Sequence, residues 1–484
     1  MEFKIKQADK KVEYTKDQQI AIEGIIEYIN KDYDPNEFAV ALCGAAGTGK
    51  TFSIKAIVNN CKYSKSTIGI SAPTHKAVGV LKENLKDLEC PINTLASDLG
   101  LRLDYDIENF DINNLNFTNK ASIKIVNYKV YIIDEASMIN ASLKKFIENI
   151  CKKYNIKLIY SGDESQNTPI KENDSLAFKQ IYKKYVLNQI VRQDDDNPCS
   201  DLLKLLRHDI INKSHKFLDY ISKNKFNFDP NNNGYAVLNN KEFNAKIVEY
   251  FSNEEFEKDT DYIKLISYTN ANVNEYNKFI RQNIITDSNR GIITKNDLIL
   301  SYKTLVDEFL MTTIENSEEY IVNDIISYNE PKYGLKGYLV KFKPIHNKGN
   351  YVTPPLFILD HTDRDNFMRF CVLWNKAYTA AKNSTTATRS SNWSAYYKFK
   401  NQILLITNLI DSFGRIILSR DLDYGFAITS HKSQGSTYSN VLVDVNDIVY
   451  NKNLIPYADI NQTNRRLYVA ISRCKKQCLL KYGL

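Results

Sequence analysis

Four short runs of nearly continuous apolar residues alternate with stretches of helical period: FAVALC from Phe38 to Cys43, STIGISAP from Ser66 to Pro73, KVYIIDEA from Lys129 to Ala136 and IKLIYSGD from Ile156 to Asp163. A strand that is apolar at every position is buried on both faces, so the pattern predicts a parallel sheet with helices on both sides. A second set follows in YIKLISYTN (Tyr262 to Asn270), FAITSHKSQG (Phe426 to Gly435), VLVDV (Val441 to Val445) and CLLKYGL, which starts at Cys478. Two such sheets make the expected class α/β. Two segments exceed a simple crossover. One, 92–126, contains RLDYDIENFDINNLNF and reads as a small inserted element. The other, 290–420, has the β-type runs GYLVKF and LFILD followed by an aromatic helical part, and reads as a separate inserted domain.

Length and composition narrow this picture only a little. At 484 residues the chain can bury several cores. Its 64 Lys and Arg against 57 Asp and Glu leave a formal charge of +7, compatible with a polyanionic partner and equally with an ordinary solvated surface. Eight cysteines form no CxxC pair, which predicts reduced thiols, a cytoplasmic location (a host cytoplasm if the source is viral) and no structural zinc. No run approaches the roughly 18 apolar residues of a membrane span, so no membrane partner is expected.

The first strand leads into GAAGTGKT, from Gly44 through Ala45, Ala46, Gly47, Thr48, Gly49 and Lys50 to Thr51, and then into a helical stretch. That is the strand, glycine loop and helix order of a phosphate cradle, in which backbone N–H groups point inward at the anion. A nucleoside triphosphate is the expected ligand. Lys50 would reach its β- and γ-phosphates, and Thr51 would hold Mg²⁺. Asp134 and Glu135 end the third strand, where ligands gather in open α/β sheets. Asp134 fits a second Mg²⁺ anchor, and Glu135 fits a base for the attacking water. Gln166, in SGDESQ after the fourth strand, stands where an amide can sense the γ-phosphate. Arg192 and Arg473 are candidate guanidiniums for transition-state charge, and an arginine on the second sheet would make hydrolysis depend on domain closure.

Taken together, YTKDQ at Tyr14 to Gln18, GAAGTGKT, APTHKA, INTLAS, IIDEASM, SGDESQ, LNQIVRQ, SYTNANVNEYN, TSHKSQGST and LYVAISRCKK span nearly the whole chain. In this order they resemble the superfamily 1 DNA helicases, and within them the 5′→3′ branch of RecD-like and bacteriophage Dda-type enzymes. The resemblance implies two RecA-like P-loop NTPase domains, the first over 1–91 and 127–187 and the second over 188–289 and 421–484. It places a duplex-splitting hairpin in 92–126 and an SH3-like β-rich auxiliary domain in 290–420. It also implies ATP and Mg²⁺ as cofactors, with Gln18 reading the adenine edge, Gln166 and Arg192 touching the γ-phosphate, Arg473 as arginine finger and Gly435 among the nucleotide contacts. Pro73, Thr74, His75, Lys76, Thr94, Thr429, Ser430, His431 and Lys432 would line a groove for single-stranded DNA, with a duplex fork ahead of it. A monomer is expected, and protein partners of the single-strand-binding or replication class are compatible with it.

Several of these residues have a plainer alternative. Hydroxyls and strand-end amides bind phosphate without reading sequence, but His75 and His431 also fit as buried hydrogen-bonding histidines. Tyr105, Phe110 and Phe117 are candidate wedge aromatics and equally candidate core residues. Trp374, Trp393, Tyr396 and Tyr397 read as the core of the inserted domain. Rival readings of the whole are a translocase that strips bound proteins from single strands, an ATP-gated nucleic-acid clamp, and an RNA track in place of DNA.

Overall fold

Thr15 starts the first helix, α1 (Lys16–Asn30), through a capping box in which its side chain accepts from Gln18 N and the Gln18 side chain returns to the Thr15 backbone. The apolar stripe Ala21, Ile22, Ile25, Ile26 and Ile29 is buried. Residues 14–101, 123–169, 172, 174–189, 197–289, 291–306, 312–345, 351–411 and 415–483 are described by the structure, a computed structural model.

Six strands follow α1: β1 (Ala39–Gly44), β2 (Ile68–Ala72), β3 (Ile92–Thr94), β4 (Val130–Ile133), β5 (Lys157–Gly162) and β6 (Lys183–Leu187). They form one parallel sheet in the order β3-β2-β4-β5-β1-β6. The period-2 alternation divides each strand between two cores: Val40, Leu42, Val130 and Ile132 face one, while Ala41, Cys43, Tyr131 and Ile133 face the other. Each fully buried aliphatic side chain contributes roughly 1.5–3 kcal/mol, so a sheet apolar on both faces is held from both sides. Helices α2 (Lys50–Asn60) and α3 (His75–Asn84) follow β1 and β2. Ile92–Thr94, where the sequence reading begins the inserted element, pairs with β2 as the sheet's edge strand.

A second sheet contains β7 (Phe226–Phe228), β8 (Gly234–Leu238) and β9 (Ile263–Ser267) with the strands Tyr438–Asp444 and Cys474–Lys481. Within this six-stranded sheet these five follow one another as β9, Tyr438–Asp444, Cys474–Lys481, β8, β7, parallel except for the last pair. Both sheets belong to one compact unit, Met1–Phe243 with Asp261–Thr269 and Thr429–Leu484. The α/β class with two parallel sheets read from the apolar runs is the class observed.

The other unit, Asn244–Thr260 with Asn270–Ile428, has a five-stranded antiparallel sheet. Its order is Leu356–Leu359, Leu335–Pro344, Glu319–Glu330, Leu298–Ser301, Leu422–Tyr424. The helices Arg364–Lys382 and Arg389–Gln402 pack Trp374, Tyr396 and Phe399 into a core of their own, with Trp393 and Tyr397 against it. Of the aromatic cluster read as core, Trp374 and Tyr396 are buried and Trp393 and Tyr397 pack partly buried against them, with Tyr378 stacked on Trp374 at a ring-centroid distance of 5.3 Å. Among the described residues no helix is long and apolar enough to cross a membrane.

Candidate functional site

The parallel strands β1 to β5 end at one edge of the first sheet, and the predicted site residues follow directly from those ends. Between β1 and α2 the backbone turns through Gly47 and Gly49, at φ 84° and 81°. A Cβ on Gly49 would stand 2.5 Å from Gln18 Nε2, so both the left-handed conformation and the space demand glycine there. Gln18 donates to Thr48 O at 2.9 Å and accepts from Thr15 N at 3.1 Å, which ties it to the loop it is expected to serve. Lys50 Nζ lies over the cradle, donating to Gly44 O at 2.7 Å and Ala45 O at 3.1 Å. Thr51 stands in the first turn of α2, half-buried.

Two strands away, Asp134 Oδ1 accepts from Ser161 Oγ at 2.8 Å. Glu135 adopts a left-handed φ of 51°. Its Oε2 is shielded from solvent and has no protein donor among the described residues. Burial pushes the Glu135 carboxyl above the usual carboxylate range, with Asp134 adding to the shift, while Arg473 and Lys50 pull it back. A buried acceptor without a protein donor fits a carboxylate that waits for a water, and a raised pKa makes it the stronger base. Hydroxyl and carboxylate oxygens at Thr51 and Asp134 suit Mg²⁺, which takes few protein ligands and completes its shell with phosphate oxygens and water.

Arg473 approaches this site from the second sheet. It follows the helix Ile460–Ser472, is 4% exposed, and donates to Ser436 O at 3.1 Å, Val469 O at 3.1 Å and Ser472 Oγ at 2.8 Å. Gln166 is buried and accepts from Gln434 Nε2 at 3.4 Å. Gln434 escaped the sequence reading, as did Arg465 and Tyr468, which reach the Gln166 segment. Their one signal is position: Gln434 and Tyr468 sit inside the quoted motifs TSHKSQGST and LYVAISRCKK, and Arg465 stands two residues before the second. Arg192, Tyr105, Phe110 and Phe117 lie outside the described residues.

The expected strand-groove residues divide by exposure. Pro73, Thr94 and Ser430 are buried, whereas Thr74, His75, Lys76, Thr429, His431 and Lys432 keep some surface. Thr74 caps α3 by accepting from Ala77 N at 3.2 Å, and Thr429 accepts from Lys432 N at 3.3 Å, so each hydroxyl still has its O–H to offer a phosphate. Lys76 Nζ sits 5.0 Å above the Tyr438 ring and 3.8 Å from Asp261 Oδ1, which already offsets part of its charge. Gly435, counted from sequence with the nucleotide contacts, lies against the Thr74–Ala77 turn, since a Cβ there would be 3.4 Å from Ala77 Cβ.

Burial, with the Arg466 guanidinium beside it, pushes His431 down to about 4. It is therefore neutral at physiological pH, and toward a phosphate it offers a hydrogen-bond donor and not a cation. A depressed histidine contributes stability that is complete above its ordinary value near 6.5 and is lost as pH falls through about 4. That is worth roughly 3 kcal/mol at 1.36 kcal/mol per unit. Replacing His431 by Gln should flatten the fall in melting temperature between pH 6.5 and 4, whereas an unchanged acid limb would remove this assignment.

Residues 14–223 match the family model described as AAA domain. The chain is 24% identical over 515 residues to an uncharacterized protein of Acanthamoeba polyphaga mimivirus, covering 95% of this chain and 98% of that one. It is 25% identical over 483 residues to an uncharacterized protein of Methanocaldococcus jannaschii, a match that takes in 90% of this chain but only 37% of the relative's length. Among solved structures it is similar to the Pif1 helicase from Candida albicans, with a TM-score of 0.50 and 18% identity over 98% of this chain and 95% of that one. It is also similar to Pif1 helicases in a structure concerned with DNA unwinding at forked double-stranded DNA, with a TM-score of 0.51 and 16% identity over 98% and 93% of the two chains. At such identities the likeness establishes the fold.

Proposed function

We propose that this chain, whose fold is that of the Pif1 helicase structures, is an ATP-driven DNA helicase that moves 5′→3′ along single-stranded DNA and unwinds duplex at a fork. The observation that carries this reading is that segments of the second sheet reach the first sheet's site: Gln434 Nε2 donates to Gln166 Oε1 at 3.4 Å and Arg465 Nη1 to Gln166 O at 3.0 Å, with the buried Glu135 carboxyl at the same strand ends. One site built from two sheets gives hydrolysis a mechanical consequence.

In this reading the RecA-like domains are built around the two parallel sheets, nominally 1–91 with 127–187 and 188–289 with 421–484; of the inserted elements expected at 92–126 and 290–420, the first begins only after the edge strand Ile92–Thr94 and the second extends through Leu422–Tyr424. Glu135 orients the attacking water and takes its proton, Lys50 neutralises the β- and γ-phosphates, and Arg473 meets the charge that develops as the γ-phosphoryl group transfers. Thr51 and Asp134 would hold Mg²⁺, which when bound neutralises phosphate charge. Gln166 reports whether the γ-phosphate is present. Arg473 also donates to Ser436 O, at the end of the segment beginning at Thr429. A change at the phosphate thus reaches the residues proposed to grip the strand.

The 5′→3′ direction is supported by the motif resemblance. Duplexes with only a 5′ tail or only a 3′ tail separate the readings: ATP-dependent displacement is expected from the 5′-tailed substrate, with the Lys50→Ala chain inactive but still binding the strand. Displacement confined to 3′ tails would overturn the polarity. ATP hydrolysis that does not rise with added single strand would favour a clamp over any motor.

A further inference from the structure

We propose that the helix Ile460–Ser472 is a latch on the Gln166 segment, with Arg465 as its positioning residue, so that the phosphate-sensing amide and Arg473 are set by one rigid element. This rests on the nucleotide-site reading above and adds a residue to it.

Gln462, Arg465 and Tyr468 recur every third position and so share a face of the helix. All three donate to one stretch of the first sheet's loops. Gln462 Nε2 reaches Thr168 Oγ1 at 2.7 Å and Glu172 O at 3.2 Å. Arg465 Nη1 donates to Gln166 O at 3.0 Å and also to Glu164 O. Tyr468 Oη donates to Asp163 Oδ2 at 2.7 Å. The stretch is itself a closed turn, since Gln166 N donates to Asp163 O at 3.2 Å and Ser165 N to Asp163 Oδ1 at 2.9 Å. Gripping it at Asp163 and at the Gln166 carbonyl fixes the main chain on both sides of the turn, and with it the direction of the Gln166 amide.

Arg465 is held from behind. Its Nε donates to Asn461 Oδ1 at 2.6 Å, and Asn461 Nδ2 donates to Ile210 O at 2.8 Å. Arg465 as a residue is 8% exposed, so its charge is committed to these carbonyls and not to water. A buried cation that lost them would be strongly unfavourable, which makes the latch either made or broken, with little between. Eight residues further along, about 12 Å at 1.5 Å per helical residue, the same helix delivers Arg473. Moving the helix relative to the Gln166 segment breaks several bonds together, so the sensor and the finger shift as a pair.

A kinetic double-mutant cycle on the full chain tests this, with oligothymidine as the strand and ATP hydrolysis as the readout. Arg465→Lys keeps a cation but loses the planar fork. It should lower strand-stimulated kcat about tenfold, with KM for ATP changed less than about twofold. In a Gln166→Ala background the same change should cost less than about twofold, because its effect passes through Gln166. If Arg465→Lys melts prematurely, Tyr468→Phe, which removes one hydroxyl and little volume, carries the same cycle. A tenfold loss in both backgrounds, or a parental rate for Arg465→Lys, would overturn the latch. A parent chain that hydrolyses no ATP would remove the nucleotide-site reading and the latch with it, whereas an active parent with additive losses removes the latch alone.

Discussion

Arg473→Ala is expected to lower strand-stimulated ATP hydrolysis by about 10³-fold or more, the lower end of what a finger arginine supplies to phosphoryl transfer. The loss should fall on kcat, because the guanidinium meets charge that exists only in the transition state. Arg473 also donates to Val469 O and Ser436 O, so Ala disturbs local packing as well as charge. Arg473→Lys separates the two effects: the cation stays and the fork is lost, and the rate should remain far below the parent's. Single-turnover hydrolysis at saturating ATP is the decisive measurement. A rate within tenfold of the parent for Arg473→Ala would remove it from the chemistry.

Glu135→Gln should reduce the rate by about 10²- to 10⁴-fold, the usual contribution of a general base, while nucleotide binding survives. It should also change stability in a direction that an ordinary surface carboxylate would not. The Glu135 carboxyl is raised by burial and by Asp134, so the folded state holds its proton more tightly than the unfolded chain does. Stability is then fullest at acid pH and lost as pH rises through the raised value, and an amide escapes that loss. Glu135→Gln is therefore expected to melt higher than the parent at pH 8 and to lose this advantage on acidification. An inactive variant that melted below the parent at pH 8 would mean that Glu135 supports the fold and does not strain it.

What could be read from sequence followed from where each residue's environment is written. Strands β1, β2, β4 and β5 were legible because both their faces are covered, which requires an unbroken apolar run. Strand β6 escaped because it is an edge strand: Lys183, Lys184 and Val186 are exposed, and only Tyr185 and Leu187 turn inward. Lys50, Asp134 and Glu135 could be proposed from sequence because each is a particular side chain at a strand end, in an order few other chemistries require. Arg465 was not. Its partners are the carbonyls of Glu164 and Gln166, and since every residue carries a carbonyl, nothing in the sequence marks the receiving side. The lowering of His431 was hidden for a related reason, since it comes first from burial and then from Arg466, and only the fold supplies either.

The resting place of Lys50 bears on how affinities at this site should be understood. Its ammonium is already bonded to Gly44 O and Ala45 O, so an arriving phosphate exchanges partners with the loop and does not meet a bare cation. A measured Kd would therefore report a difference between two sets of bonds, and a modest value would be no sign of a weak phosphate contact. The same exchange runs backwards after hydrolysis. On the proposed reading the carbonyls would take the ammonium back, so that product would depart without leaving a stranded charge.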